Sequence, residues 1–388
     1  MKKIGLLPRL LLAIVFGIVI GLLCHETDFE LPVKLFATFS GLFGNFLSFI
    51  IPLVILGFIA PGIADLGAKA GRLLGITAII AYVSSFFAGI AAYFIGITGI
   101  PYFLTDIQGT KVPESEGLEF FTISMPAPIG VMSALILAFV LGLGMAYAKT
   151  DTLKALMKDF NTIIIDVLKY IIVPLIPIHI GAQFVKLAYN GDVLNVIIAF
   201  AAIIAMIVAL QILYIIIQFT LQFLFTGKNP IQSIYNMLPA YLTALGTQSS
   251  AATIPISLES SRNNGVEEDI LDFVVPLCAN IHLAGDTIAL VLGAMGIAYI
   301  TNGELQSFGE ILPFIAYLGV MMVAAPGIPG GGAVAARGLM ESMLGFSVIQ
   351  LDLITALHFS QDSFGTATNV TGDGAIALII DKINKILK

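Results

Sequence analysis

Two short polar stretches rich in glycine and proline, residues 246–255 and 325–332, interrupt a chain that is otherwise strongly apolar. Of its 388 residues 58% are hydrophobic and 11% charged, and the mean hydropathy is +1.00. Soluble domains carry about a quarter charged residues, so the chain reads as an all-α polytopic membrane protein. Lipid offers no partner to backbone N–H and C=O groups that leave a helix, so breaks at membrane depth survive only when buried in protein or facing a watery cavity. Two such breaks point to a polar site inside the bundle.

Spans of about 20 apolar residues are read at 4–24, 43–60, 73–97, 129–147, 163–187 and 193–225, followed by more broken segments at 230–257, 270–300, 311–345 and 348–380. The first contains Gly17 and Gly21 and no small-residue cleavage site follows it, so a retained helix is expected there and not a signal peptide. Lys2, Lys3 and Arg9 before the first span, Lys69 and Arg72 after the second, and Lys149, Lys154 and Lys158 after the fourth assign those ends to the cytoplasm. Segment 102–122 carries Asp106, Glu114, Glu116 and Glu119 against Lys111 and suits the outer face. Lys382, Lys385 and Lys388 return the C-terminus to the cytoplasm, giving a multi-pass cell-membrane protein with both termini inside. A net charge of −7 without a basic cluster excludes nucleic acid as a partner. Cys24 and Cys278 have no metal-type spacing, and Pro174 and Pro177 are expected to kink the fifth span.

Asp286, Asp362, Asp373, His282 and His358 fall inside segments apolar enough to span. An ionisable group at the bilayer centre costs at least a few kcal/mol, so such residues face the bundle interior and mark a pathway or binding site; His358 is read as a satisfied interior histidine. Asp362, Thr366, Asn369 and Asp373 recur at intervals of four, three and four, which puts them on one stripe of one helix. Carboxylate, hydroxyl and amide oxygens at this depth suit a dehydrated monovalent cation or an ammonium group. Asn280, His282 and Asp286 punctuate the preceding apolar segment. The order of broken segment then polar-centred helix occurs twice, the usual pointer to inverted repeats around a midplane site.

At these residues the chain resembles the dicarboxylate/amino acid:cation symporter family, and in motif it stands nearest the bacterial sodium/serine-threonine symporters. The resemblance covers nearly the whole chain in span order. It is specific at the serine-rich run 247–255, at 327–332, at the Pro276-to-Thr287 motif and at Gln361-Asp362-Ser363 through Asn369-Val370-Thr371-Gly372-Asp373. It implies eight transmembrane helices plus two re-entrant helical hairpins in an elevator-type homotrimer embedded in membrane lipid. Residues 1–72 would hold scaffold helices 1 and 2, and 101–190 the outer loop with scaffold helices 4 and 5. Helix 3 at 73–100 and residues 191–388, with helix 6, hairpin 1, helix 7, hairpin 2 and helix 8, would form the transport domain. By the same resemblance Asp362 receives an α-ammonium and Asn369 an α-carboxylate, with Ser250 and the hairpin-tip N–H groups around Gly327 completing the site. Thr366, Gly365 and Asp286 would border the solute side chain. Asp373 would bind sodium beside backbone groups near Cys278, Asn280, His282 and Asn369 and, in the second hairpin, Val323 and Ala325. No cofactor is implied beyond Na+, or H+, as the coupling ion.

The departures refine the expectation. Gly365 and Gln248 stand where acidic-substrate members hold arginine, so an acidic amino acid would leave a charge unpaired in a dry pocket, a penalty of several kcal/mol. An amine-free dicarboxylate would leave Asp362 without its partner. His282 and Ala284 replace an asparagine and an aspartate of the family motif, so the deepest sodium site is expected to be absent or altered, with Ser84 and Ser85 still matching part of it. Imidazole titrates near neutrality, which leaves proton coupling as an alternative. Asp286 replaces a threonine: facing the pocket it favours a hydroxyl or a cationic side chain, while a pair with His282 four residues earlier would neutralise both. The leading expectation is a sodium-driven importer of a small neutral amino acid of the serine, threonine or alanine type. The alternatives are a cationic or proton-coupled amino acid symporter and, second, an acidic amino acid or dicarboxylate symporter. An intramembrane aspartyl protease is disfavoured, because eleven helical residues separate Asp362 from Asp373 by roughly 16 Å, too far to share one water. A channel fits less well than a carrier, since ends suited to ammonium and to carboxylate match a bound zwitterion.

Overall fold

The computed structural model describes residues 6–68, 72–107, 118–148, 151–191, 193–324 and 330–387. The segment 325–329, with Ala325 and Gly327, lies outside the described residues, as do Lys2, Lys3, Lys69, Lys111, Glu114, Glu116, Lys149 and Lys388. The described residues contain α1 (Leu6–Thr27), α2 (Glu30–Ala68), α3 (Arg72–Leu104), α4 (Val131–Ala148), α5 (Asp151–Val167), α6 (Val173–Tyr189), α7 (Val193–Thr226), α8 (Pro230–Thr247), α9 (Ser250–Asn263), α10 (Glu268–Ile281), α11 (Ala284–Asn302), α12 (Phe308–Ala324), α13 (Gly331–Leu344) and α14 (Val348–Leu387).

Among the described residues, seven stretches are long and apolar enough to cross a membrane: α1, residues 30–64 of α2, α3, α4, Asp151–Tyr189, α7 and Glu268–Asn302. At 40 residues α14 is long enough as well, but its buried acids, amides and hydroxyls make it too polar to qualify by composition. The second helix begins at Glu30 and not at 43, its first turn tied by Lys34 to Glu30 at 2.6 Å. Ahead of Pro174 the chain relaxes into a wide π turn, Leu168–Ile172. Proline there lacks the N–H an α-helix needs and crowds the preceding turn, so the expected kink takes this form.

Two packing groups divide the helices. In one, α1 lies along α6, and α2 packs on α4, α5 and α6; a Cβ at Gly17 would strike the Gly181 carbonyl, so a small residue lets these backbones touch. In the other, α11 is buried from Ala284 to Ile300, and α3, α7 and α14 surround it, with α8, α9 and α10 against α14. The groups meet more sparsely, where α12 and α13 reach α2 and where α14 reaches α1 and α6.

Candidate functional site

Three chain interruptions converge on the polar stripe of α14. At the first, Asn229 caps α8 by accepting the N–H groups of Ile231 (2.9 Å) and Gln232 (3.3 Å). The helix ends at Gln248, whose φ of 53° is left-handed. Ser249 is extended and its Oγ accepts the Ala252 N–H at 3.3 Å, starting α9. The tip is therefore two residues long, and Gln248 Nε2 donates to Ser363 Oγ at 2.9 Å. At the second, Gly330 has φ +71° and a Cβ there would enter the Phe359 ring, so glycine is required on both counts. Its N–H donates to Asp362 Oδ2 at 3.1 Å. At the third, His282 and Leu283 leave the helix between α10 and α11.

That last break decides where the two expected partners go. His282 and Asp286 do not pair with each other, because the helix that would set them one turn apart is unwound between them. Each binds α14 instead. Asp286, in the first turn of α11, accepts His358 Nε2–H on Oδ1 at 2.8 Å and Asn369 Nδ2–H on Oδ2 at 2.6 Å. Two donors and a helix N-terminus suit a buried carboxylate. His358 is thus satisfied on one nitrogen; its Nδ1 is buried without a partner among the described residues. Asn369 Oδ1 accepts the Gly285 N–H at 2.7 Å, so the amide expected to meet a solute already bridges α11 to α14. Ligand atoms of Asp286, His358 and Asp362 all lie within 4.8 Å of one another: the imidazole hydrogen-bonds Asp286 and stands close to Asp362.

Deeper along α14, His282 Nδ1 lies 2.9 Å from Asp373 Oδ1, and its Nε2 faces Ser84 Oγ at 3.0 Å and Gln218 Nε2 at 3.2 Å. Tyr214 donates to the Ser84 carbonyl at 2.6 Å. A Cβ at Gly372 would lie 2.7 Å from both His282 Cε1 and Gln218 Oε1, so this glycine makes room for the imidazole. Ser85 is fully buried, its Oγ unpartnered among the described residues.

Of the expected solute-site residues, Ser250, Asp286, Asp362, Gly365, Thr366 and Asn369 are all buried on α9, α11 and α14. A Cβ at Gly365 would face the Gln211 and Gln361 amides at 3.6 Å. Among the expected cation-site residues, Cys278 is buried and its carbonyl accepts the His282 N–H at 2.9 Å, and Val323 is half-buried near the end of α12. Asn280 departs from expectation: it is exposed, and its amide turns back onto the Pro276 carbonyl at 2.8 Å. The amides of α7 went unread in the sequence, although Gln211, Tyr214, Gln218 and Gln222 fall at intervals of three and four, the spacing of a single buried helix face.

A family model, the Sodium:dicarboxylate symporter family, matches residues 6–383. Excitatory amino acid transporter 1 of Homo sapiens is 36% identical over 183 residues, 47% of this chain and 33% of that protein. Neutral amino acid transporter A of Bos taurus is 33% identical over 164 residues, 42% of this chain and 31% of that protein. The chain therefore spans about a third of the length of the curated relatives it matches.

Proposed function

This chain belongs to the sodium:dicarboxylate symporter family, a family of transporters and not of enzymes, and from that premise we propose that it imports a small neutral amino acid by cation-coupled symport. The observation that carries the choice of solute is the pairing of Asp286 with His358 and Asn369. It cancels one acid and leaves Asp362, whose donor among the described residues is the Gly330 N–H, as the seat of one ammonium. The solute carboxylate meets the second N–H of Asn369, the Ser250 hydroxyl and the N-terminal ends of α9 and α13, whose dipoles favour an anion. Serine, threonine or alanine satisfies this set. Names of matched relatives include both excitatory and neutral amino acid transporters; Gly365 and Gln248, in place of arginines, favour the neutral class.

Sodium is the coupling ion in this reading, held by the Asp373 oxygen that His282 leaves open and by nearby backbone carbonyls. Packing supports a scaffold drawn from residues 1–72 and 101–190 and a moving unit drawn from 73–100 and 191–388, the unit that slides in an elevator cycle; a homotrimer in the cell membrane with both termini cytoplasmic completes the proposal. A second reading, import of a cationic amino acid, draws on the two carboxylates, Asp286 and Asp362, that cluster with one imidazole.

Uptake of labelled serine, threonine, alanine, aspartate, lysine and arginine into proteoliposomes, with sodium and pH gradients imposed separately, tests both. Sodium-driven uptake of serine or threonine is expected. Lysine or arginine uptake would replace the first reading by the second, and uptake driven by a proton gradient alone would overturn sodium coupling.

A further inference from the structure

The two packing groups share one buried polar cluster away from the solute site. On one side Arg337 of α13 donates through Nη1 to Asp352 Oδ1 at 2.8 Å and to Thr355 Oγ1 at 2.9 Å, both on α14. On the other side α6 brings His179, whose Nε2 lies 3.0 Å from Asp352 Oδ1 without the alignment of a hydrogen bond, and Gln183, whose Nε2 donates to Asp352 Oδ2. Ser40 of α2 ties these two together, accepting from Gln183 at 2.7 Å and facing His179 Nδ1 at 3.2 Å. His179, Arg337 and Asp352 are at most 1% exposed. Nothing in the proposed solute or cation chemistry uses them.

We propose that Asp352 is the point at which α6 and α2 hold α14 in this position, with His179 and Gln183 as positioning residues for the translocation step. The inference rests on the proposed sliding of one group past the other. The arrangement of charge favours release. Arg337 and Asp352 belong to the same group, so the ion pair travels together and no charge is orphaned when α6 lets go; a pair split across the boundary would leave two buried ions unpaired. A neighbouring cavity of about 390 Å³, lined by Ser40, Asn45, Glu119, Gln183, Lys186 and Ser347, supplies water to the hydrogen-bonding groups the clasp frees. Contacts that are buried when made and hydrated when broken give a latch, whose strength sets how long this position persists.

The test uses the full-length protein with spin labels at Leu156→Cys on α5 and Tyr235→Cys on α8, both more than 60% exposed; the native cysteines are buried and stay unlabelled. Pulsed dipolar distances are recorded for the parent, His179→Leu, His179→Gln and Gln183→Met, with and without serine and sodium. The parent should show two distance populations. Loss of a hydrogen bond or close polar contact to a buried charge should shift their ratio about tenfold or more away from the position seen here in His179→Leu and in Gln183→Met. His179→Gln, which keeps a side-chain donor, should restore it. One distance under every condition in the parent would sink the sliding reading and the latch with it. Two populations whose ratio stays unchanged in Gln183→Met, which preserves length and volume and keeps the test alive should His179→Leu not fold, would overturn the latch alone.

Discussion

Replacing Asp362 by asparagine isolates the charge at the proposed solute site. The asparagine oxygen can still accept the Gly330 N–H, so the contact at the second tip survives. Asp286 keeps His358 and Asn369, so no ion is orphaned in the empty protein. What disappears is the partner of the solute ammonium. Asp362 is 3% exposed, and breaking a buried pair by removing one partner costs about 3–5 kcal/mol, more than the roughly 1.5–3 kcal/mol of a charge-assisted hydrogen bond alone. At about 1.4 kcal/mol per tenfold, the serine Kd should rise by roughly two to three and a half orders of magnitude. Scintillation-proximity binding of labelled serine at saturating sodium reads this directly, with the melting temperature as a control for folding. A Kd within about threefold of the parent in a protein that melts normally would refute Asp362 as the ammonium site.

Three further outcomes are expected. Asp373→Asn removes the carboxylate beside His282 and should raise the sodium concentration for half-maximal serine binding by about tenfold or more; an unaltered sodium titration would remove Asp373 from the cation site. Gly365→Arg has room for its first carbon, 3.6 Å from the Gln211 and Gln361 amides. It should raise aspartate uptake relative to serine by about tenfold or more, while a retained serine preference or loss of both solutes would contradict it. Gly372→Ala drives a methyl to within 2.7 Å of His282 and Gln218, should cost about 1–3 kcal/mol and should lower the melting temperature; a melt matching the parent would refute the close packing there.

Helical periodicity made the polar stripe of α14 legible, because residues four, three and four apart can only line one face, and the same arithmetic covers the α7 amides. The tip between α8 and α9 was legible because a run of glycine, serine and threonine in a greasy chain has few other uses. Partner choice was not. His358 meets Asp286 across 72 positions and His282 meets Asp373 across 91, separations at which no local pattern acts. The Asp352 cluster was missed for a different reason: Arg337, Asp352 and His179 sit in apolar segments as conspicuously as Asp362 does, but no motif drew attention to them, although the cost of burying charge applies to each equally.

Gln248 at the turn between α8 and α9 and Gly330 just ahead of α13 are fastened to Ser363 and Asp362, neighbours in sequence that point about 100° apart around the helix. Each flap therefore hangs on its own hook. Losing the Gln248 bond leaves the Gly330 bond in place and the reverse also holds, so on the proposed assignment the pocket resembles an airlock with two separately hinged doors on one doorpost. In such a design a solute that engages the Asp362 carboxylate competes with one door while leaving the other shut.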